Sequence, residues 1–185
     1  VELITLSTPE LSEADKEIFN RLWQVASKKD EDIFAKGDIR PQDWHFFLKD
    51  TSSNQTVAVG RYRCITGIKI GDQPWEQPVW GLANVSTDPE HQGQGYGKQL
   101  VTGMIDFAQK RGLWPVGFHG KKTTLSEFYG KCGLEVDENI GLKMHYPKEG
   151  ELVPHHKVAV SYRKGDPFIE AVRKTTKKVC LPHSW

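Results

Sequence analysis

The spacing of apolar residues changes several times along the chain, and each change marks an element. Glu2 to Leu6 reads as a short strand. Beyond it Ile18, Phe19, Leu22, Trp23 and Ala26 recur three and four apart, the period of an amphipathic helix, with Ser12 placed to cap it. Residues 30 to 43 are polar and punctuated by Gly37 and Pro41, which leaves room for a short second helix. Two strands follow, "WHFFLKD" and "TVAVGRYRCITGIKI", divided by the polar turn "TSSNQ". "GDQPWEQP" interrupts the second run with Gly and two prolines, and "VWGLANVST" resumes as a strand.

A glycine-rich stretch then leads into a second helical stripe of Leu100, Val101, Met104, Ile105 and Ala108. Lys110 and Arg111 occupy its last turn and Gly112 closes it. "WPVGFHG" is a compact strand, and "TLSEFYGKCG" a short helix ended by Gly133. "GLKMHY" and "HKVAVSYRK" alternate as a final antiparallel pair would. "DPFIEAVRKTTKKVC" predicts one further helix capped by Asp166. The order predicts a mixed α/β fold with a largely antiparallel sheet flanked by helices. No internal repeat, low-complexity block or long linker divides the 185 residues, so one domain, with or without an extension, is expected.

Composition narrows the classes. Twenty-five basic against 24 acidic residues leave a net charge of +1, so nothing global favours nucleic acid or an anionic membrane. No run approaches the ~18 apolar residues of a spanning helix. The first residues lack the basic start and apolar middle of a secretory signal, and the missing initiator Met points to a trimmed chain with flanking sequence absent. Cys64, Cys132 and Cys180 are few and odd in number, which suits a reducing compartment. The expected location is the cytoplasm, with the nucleus as the other intracellular choice. His91, His155 and His156 lack partners at metal-ligand spacing and are assigned to the surface; no metal is expected.

The chemistry begins at "HQGQGYG", residues 91 to 97, where a strand ends in a glycine turn that opens a helix. The first N–H groups of a helix have no internal partner, and the dipole makes that end positive, so such a turn can hold phosphate. Two nucleotide motifs fail on spacing. A P-loop would need glycine at Gln92 and Ser or Thr at Gln99, and a dinucleotide fingerprint would need glycine at Lys98.

The stretch Gln92-Gly93-Gln94-Gly95-Tyr96-Gly97, after a strand and Asp88-Pro89 and before Leu100, fits Gln/Arg-x-x-Gly-x-Gly/Ala. It resembles the acetyl-CoA-binding motif of the GNAT superfamily of N-acetyltransferases. A second segment, "LSEFYGKCGLEV", is similar to the family's Phe/Leu-Tyr-x-Lys-x-Gly-Phe helix, with Phe128, Tyr129, Lys131 and Gly133 in step and Leu134 for the usual Phe. The resemblance spans residues 1 to 164, taken as the acetyltransferase domain, and leaves 165 to 185 as a helical extension.

The resemblance implies acetyl-CoA as co-substrate and a primary amine as acceptor, on a small molecule or on a protein lysine or N-terminus. It implies that the pantetheine arm lies along the strand before the loop, on the backbone of Asn84, Val85 and Thr87, with the Val85 N–H as oxyanion donor. The pyrophosphate would rest on Gln92, Gly93, Gln94, Gly95, Tyr96, Gly97 and Lys98. Direct attack through a tetrahedral intermediate needs the amine made neutral, because at a pKa of ~10.4 fewer than about one in a thousand is unprotonated at pH 7. It also needs an oxyanion donor and an acid for the thiolate. A protonated phenol suits the last task, and Tyr129 is the expected general acid.

For the base, family members that carry a carboxylate on the strand place it near Gly81, and residues 80 to 85 have no titratable group. His119 is the first candidate, and Glu135 and Asp137 are weaker ones. Lys122 replaces the family's frequent Asn. The acceptor groove is expected to involve segment 30 to 43 and "YPKEGELVPHH". A non-catalytic acyl-CoA-binding module is the rival reading. The basic C-terminal stretch "RKTTKKVC" is a candidate contact for a protein partner or a missing domain.

Overall fold

The computed structural model describes residues 1–183 apart from Lys36 and Asp38. Along the chain it contains β1 (Glu2–Ser7), α1 (Glu13–Ser27), β2 (Trp44–Asp50), β3 (Gln55–Ile65), β4 (Lys69–Ile70) and β5 (Gln73–Pro74). Next come β6 (Val79–Thr87), α2 (Tyr96–Lys110), β7 (Pro115–Gly120), α3 (Thr123–Lys131) and β8 (Glu135–Asp137). The chain ends with β9 (Met144–Lys148), β10 (Glu151–Pro154), β11 (Val158–Tyr162), α4 (Pro167–Lys174) and β12 (Val179–Cys180). These elements form two compact units, one from residues 1–64 and 82–112, the other from 65–81 and 113 onward.

In the first unit β2 lies between β1 and β3, antiparallel to both, and β6 follows beside β3. Strand alternation sends successive side chains of β2 to opposite faces. Phe47 joins Val59, Phe19 and Leu22 in a cluster under α1, with Ile4 and Leu6 of β1 packed against it. Phe46 meets Tyr62 and Phe107 of α2 edge-on, with ring centroids at 5.0 and 5.1 Å. Opposite Phe46 stands Gly60, where a Cβ would come within 2.8 Å of the Met104 sulfur, so glycine lets α2 seat close to the sheet. Ser12 caps α1 as expected: its hydroxyl accepts from the Asp15 N–H while the Asp15 carboxylate takes the Ser12 N–H.

In the second unit β11 pairs antiparallel with β7 on one side and β8 on the other. A smaller sheet runs in the order β10, β9, β12, β4, β5. Val116, Phe118, Val160 and Tyr162 share one buried cluster with Phe168, Ile169 and Val172 of α4 and with Val179 and Leu181.

Three expectations need correction. "GLKMHY" and "HKVAVSYRK" give β9 and β11, but these do not pair with each other. Glu149 and Gly150 both adopt left-handed backbone, φ 52° and 85°, as the central residues of a two-residue hairpin. That turn folds β10 back onto β9, and β12 takes the other edge. The C-terminal helix stops at Lys174 instead of running to Cys180. There the Lys143 ammonium donates to the carbonyls of Val172, Arg173 and Thr175 at 3.1, 2.7 and 3.0 Å, and the chain leaves to form β12. Between 30 and 43 the described residues form turns and no helix; Lys36 and Asp38 lie outside them. Among the described residues no helix is long and apolar enough to cross a membrane.

Candidate functional site

In the first unit the site grows from the end of β6. The Asp88 N–H donates to the Val57 carbonyl at 2.9 Å, and its carboxylate accepts the Glu90 N–H at 3.1 Å. This fixes a single helical turn at Pro89–His91 and delivers the chain to the glycines. The Gln92 amide braces back on the Thr87 carbonyl at 3.2 Å, and the Gln94 amide on that of Glu90 at 3.3 Å. Gly93 and Gly95 take φ values of 77° and 85°, which an L side chain would strain. Gly95 is the residue on which α2 starts.

The first helix carbonyl is taken by Gln99, whose N–H donates to Gly95 at 3.0 Å. The N–H groups of Tyr96, Gly97 and Lys98 therefore belong to the turn that a helix cannot satisfy internally. No acidic side chain stands between Gln92 and Lys98, and residues 92 to 95 and Lys98 are exposed. Consecutive amide donors, an adjacent cation and no competing carboxylate are the donor set that a pyrophosphate requires. The residues fit the group.

Upstream on the same strand, Asn84 is left-handed at φ 53° and its buried Oδ1 has no hydrogen-bond partner. Asn tolerates this backbone better than most residues, a cue in the sequence that its reading as a plain strand did not use. Val85 and Thr87 are half-buried beside it.

In the second unit the structure brings His119 and Tyr129 together. Their rings stack at 4.8 Å between centroids with 27° between planes. His119 Nδ1 lies 3.1 Å from the Gly120 carbonyl, which can only accept, so Nδ1 carries the proton. That leaves Nε2 as a lone pair, buried and without a partner. Burial holds the His119 pKa below the ordinary imidazole range, against the opposing pull of the Gly120 carbonyl and Glu138. Tyr129 is pushed up to about 12 by burial first and by nearby Cys132 second. Phe128, half-buried, meets Tyr129 edge-on at 5.1 Å.

The other candidates stand differently. Glu135 is exposed, and Asp137 has both oxygens engaged, one by the N–H groups of Asn139 and Ile140, the other by Arg173. Lys122 sits at the N-cap of α3 and makes no side-chain cap there, since an ammonium cannot accept. Of the three histidines assigned to the surface only His156 is exposed. His155 is buried against Tyr146, rings 4.2 Å apart, and His91 is half-buried with its ring edge-on to Tyr96. An aromatic neighbour offsets the cost of hiding an imidazole, and spacing along the chain gives no sign of that.

Residues 8–133 match the sequence profile of the Acetyltransferase (GNAT) family. Three solved structures share the fold. The GNAT family N-acetyltransferase YhbS of Escherichia coli, solved in complex with CoA, is 14% identical over 97% of this chain and 89% of its own, with a TM-score of 0.61. An acyl-CoA N-acyltransferase from Pseudomonas aeruginosa is 15% identical over 88% of this chain and 98% of its own, TM-score 0.59. The ribosomal-protein-S18-alanine N-acetyltransferase of Escherichia coli is 16% identical over 88% and 93%, TM-score 0.58. No curated protein matches the sequence.

Proposed function

Because this chain belongs to the GNAT acetyltransferase family, we propose that it moves an acetyl group from acetyl-CoA to a primary amine. The observation that carries the reading is the turn from Gln92 to Lys98, with left-handed Gly93 and Gly95 and the unsatisfied first amides of α2. Those amides and Lys98 hold the pyrophosphate, and the backbone of Asn84, Val85 and Thr87 pairs with the pantetheine arm. Bound acetyl-CoA supplies an activated thioester for direct attack by the amine. The chain's own groups then have three tasks.

His119 receives a proton at Nε2, directly or through water, because its other nitrogen is committed to Gly120. Its lowered pKa keeps it neutral at pH 7, ready to accept. Tyr129 remains protonated far above neutrality and donates to the departing sulfur. The Val85 N–H is assigned to the oxyanion.

The rival reading, an acyl-CoA-binding module without turnover, is favoured by one feature: residues 80 to 85 carry no carboxylate. Thiol release from acetyl-CoA, followed with a panel of small amines, amino acids and lysine peptides, separates the two. At least one amine should raise release above the hydrolysis background, and Tyr129→Phe should cut that turnover ten-fold or more with little change in CoA affinity. Binding of CoA with no amine-dependent release would leave the module reading standing.

A further inference from the structure

The loop described above has a neighbour that the acetyl-transfer reading does not use. A cleft of about 570 Å³ opens within the first unit, between α1, the β2–β3 hairpin and the turn at Pro89–His91. This volume lies within the ~300–1,000 Å³ range of small-molecule sites. Ile4, Ile18 and Phe47 give it apolar surface. Charges of both signs stand in the same lining: Lys49 and Arg21 on one hand, Asp15, Asp88 and Glu90 on the other.

Most of these charges are already spoken for. Asp15 caps α1, and Asp88 caps the turn and lies 3.8 Å from Arg21. Among the described residues, the Lys49 ammonium and the Glu90 carboxylate engage no ion-pair partner. One unpaired cation and one unpaired anion beside an apolar surface match a molecule with both charges and an aliphatic body. The cleft is also distinct from the chemistry. Asp88 is three residues past Val85 on an extended chain, about 10 Å along the strand from the expected oxyanion donor.

From this we infer that the cleft is a second ligand site, for a free α-amino acid with an aliphatic side chain. Lys49 receives the carboxylate, Glu90 the ammonium, and Ile4, Ile18 and Phe47 the side chain. The site is coupled to the glycine loop. Asp88, in its wall, both fixes the turn that delivers the loop and faces Arg21 and His91, at 3.8 and 4.0 Å. A ligand held by Glu90 bears on the residue whose N–H goes to Asp88 and whose carbonyl takes the Gln94 amide of the loop, and any effect on CoA affinity is matched by an equal effect of CoA on the ligand.

Equilibrium dialysis of the full chain, without CoA, tests the site independently of the acetyl-transfer reading. The probes are L-leucine, L-leucinamide, which lacks the carboxylate, and 4-methylpentanoate, which lacks the ammonium. Leucine should bind one per chain with a Kd between about 10 μM and 1 mM, and each singly charged analogue at least ten-fold more weakly. Lys49→Met should abolish the preference for leucine over leucinamide, and Glu90→Gln the preference over 4-methylpentanoate; circular dichroism checks that both variants fold. Absence of leucine binding up to about 10 mM, equal binding of the three probes, or preferences untouched by the two substitutions would each overturn the site.

Discussion

At the scale of single residues, His119 and Tyr129 carry opposite shifts from one cause. Burial disfavours the charged form of each, so the imidazole pKa falls and the phenol pKa rises. Both side chains are thus held neutral at pH 7. If His119 is the base, the acid limb of kcat/KM lies below pH 6.5, since the folded pKa sits under the ordinary imidazole value. His119→Gln should lower kcat/KM by about 10²–10⁴ and flatten that limb. A limb that persists in the variant would assign it to another group. The loop was legible residue by residue, because glycine at fixed spacing before a helix is a local signal. The tautomer of His119 and the backbone of Asn84 were not, since each depends on a carbonyl or a turn of strand that the chain supplies only when folded.

Among the elements, α4 illustrates how a sequence can give a start more readily than a stop. Asp166 caps it through the Ile169 N–H at 3.0 Å, as its place before Pro167 implies. Its end is set from a distance, by Lys143, thirty residues upstream of the carbonyls it holds. The same distinction explains the strands that the pattern does not announce: β5, β8, β10 and β12 are two to four residues long, too short for a period to declare itself. The Asp166 cap has a measurable cost. Burial raises its pKa from 3.8 to about 6, and its Oδ2 has no hydrogen-bond partner. The folded state therefore holds the proton more tightly than the unfolded chain. The associated stability, about 3 kcal/mol at most, is full below pH 4 and is lost as pH rises through 6. Asp166→Asn keeps a capping side chain and removes the titration. Between pH 4 and 7 the urea midpoint of the parent should fall relative to that of the variant, whose own curve keeps the opposite slope set by His45, His119 and His155, all lowered by burial; parallel curves would exclude Asp166 as the source.

On the scale of the whole molecule, the segment after residue 164 belongs to the second unit's core. Phe168, Ile169, Val172, Val179 and Leu181 are all buried there. At about 1.5–3 kcal/mol each, they rival the ~5–15 kcal/mol that holds a typical domain together. A chain stopped after Lys164 should lose cooperative unfolding of that unit, visible as exposed apolar surface by dye binding; a truncated chain with an unchanged melting transition would refute this. The order of the chain has a consequence for synthesis. Residues 65–81 leave the ribosome between the two segments of the first unit, yet their partners, from residue 113 onward, come later. Ile68 and Val79, buried in the finished protein, must wait for Val179 and Leu181. Translation at ~5–20 residues per second makes that wait on the order of ten seconds, during which a segment whose Ile65, Ile68 and Val79 are still unburied links the two parts of the first unit. Nascent chains stalled with residue 112 just outside the exit tunnel should be cut by protease within 65–81 while the flanking segments resist, and uniform cleavage would show that the first unit does not close early.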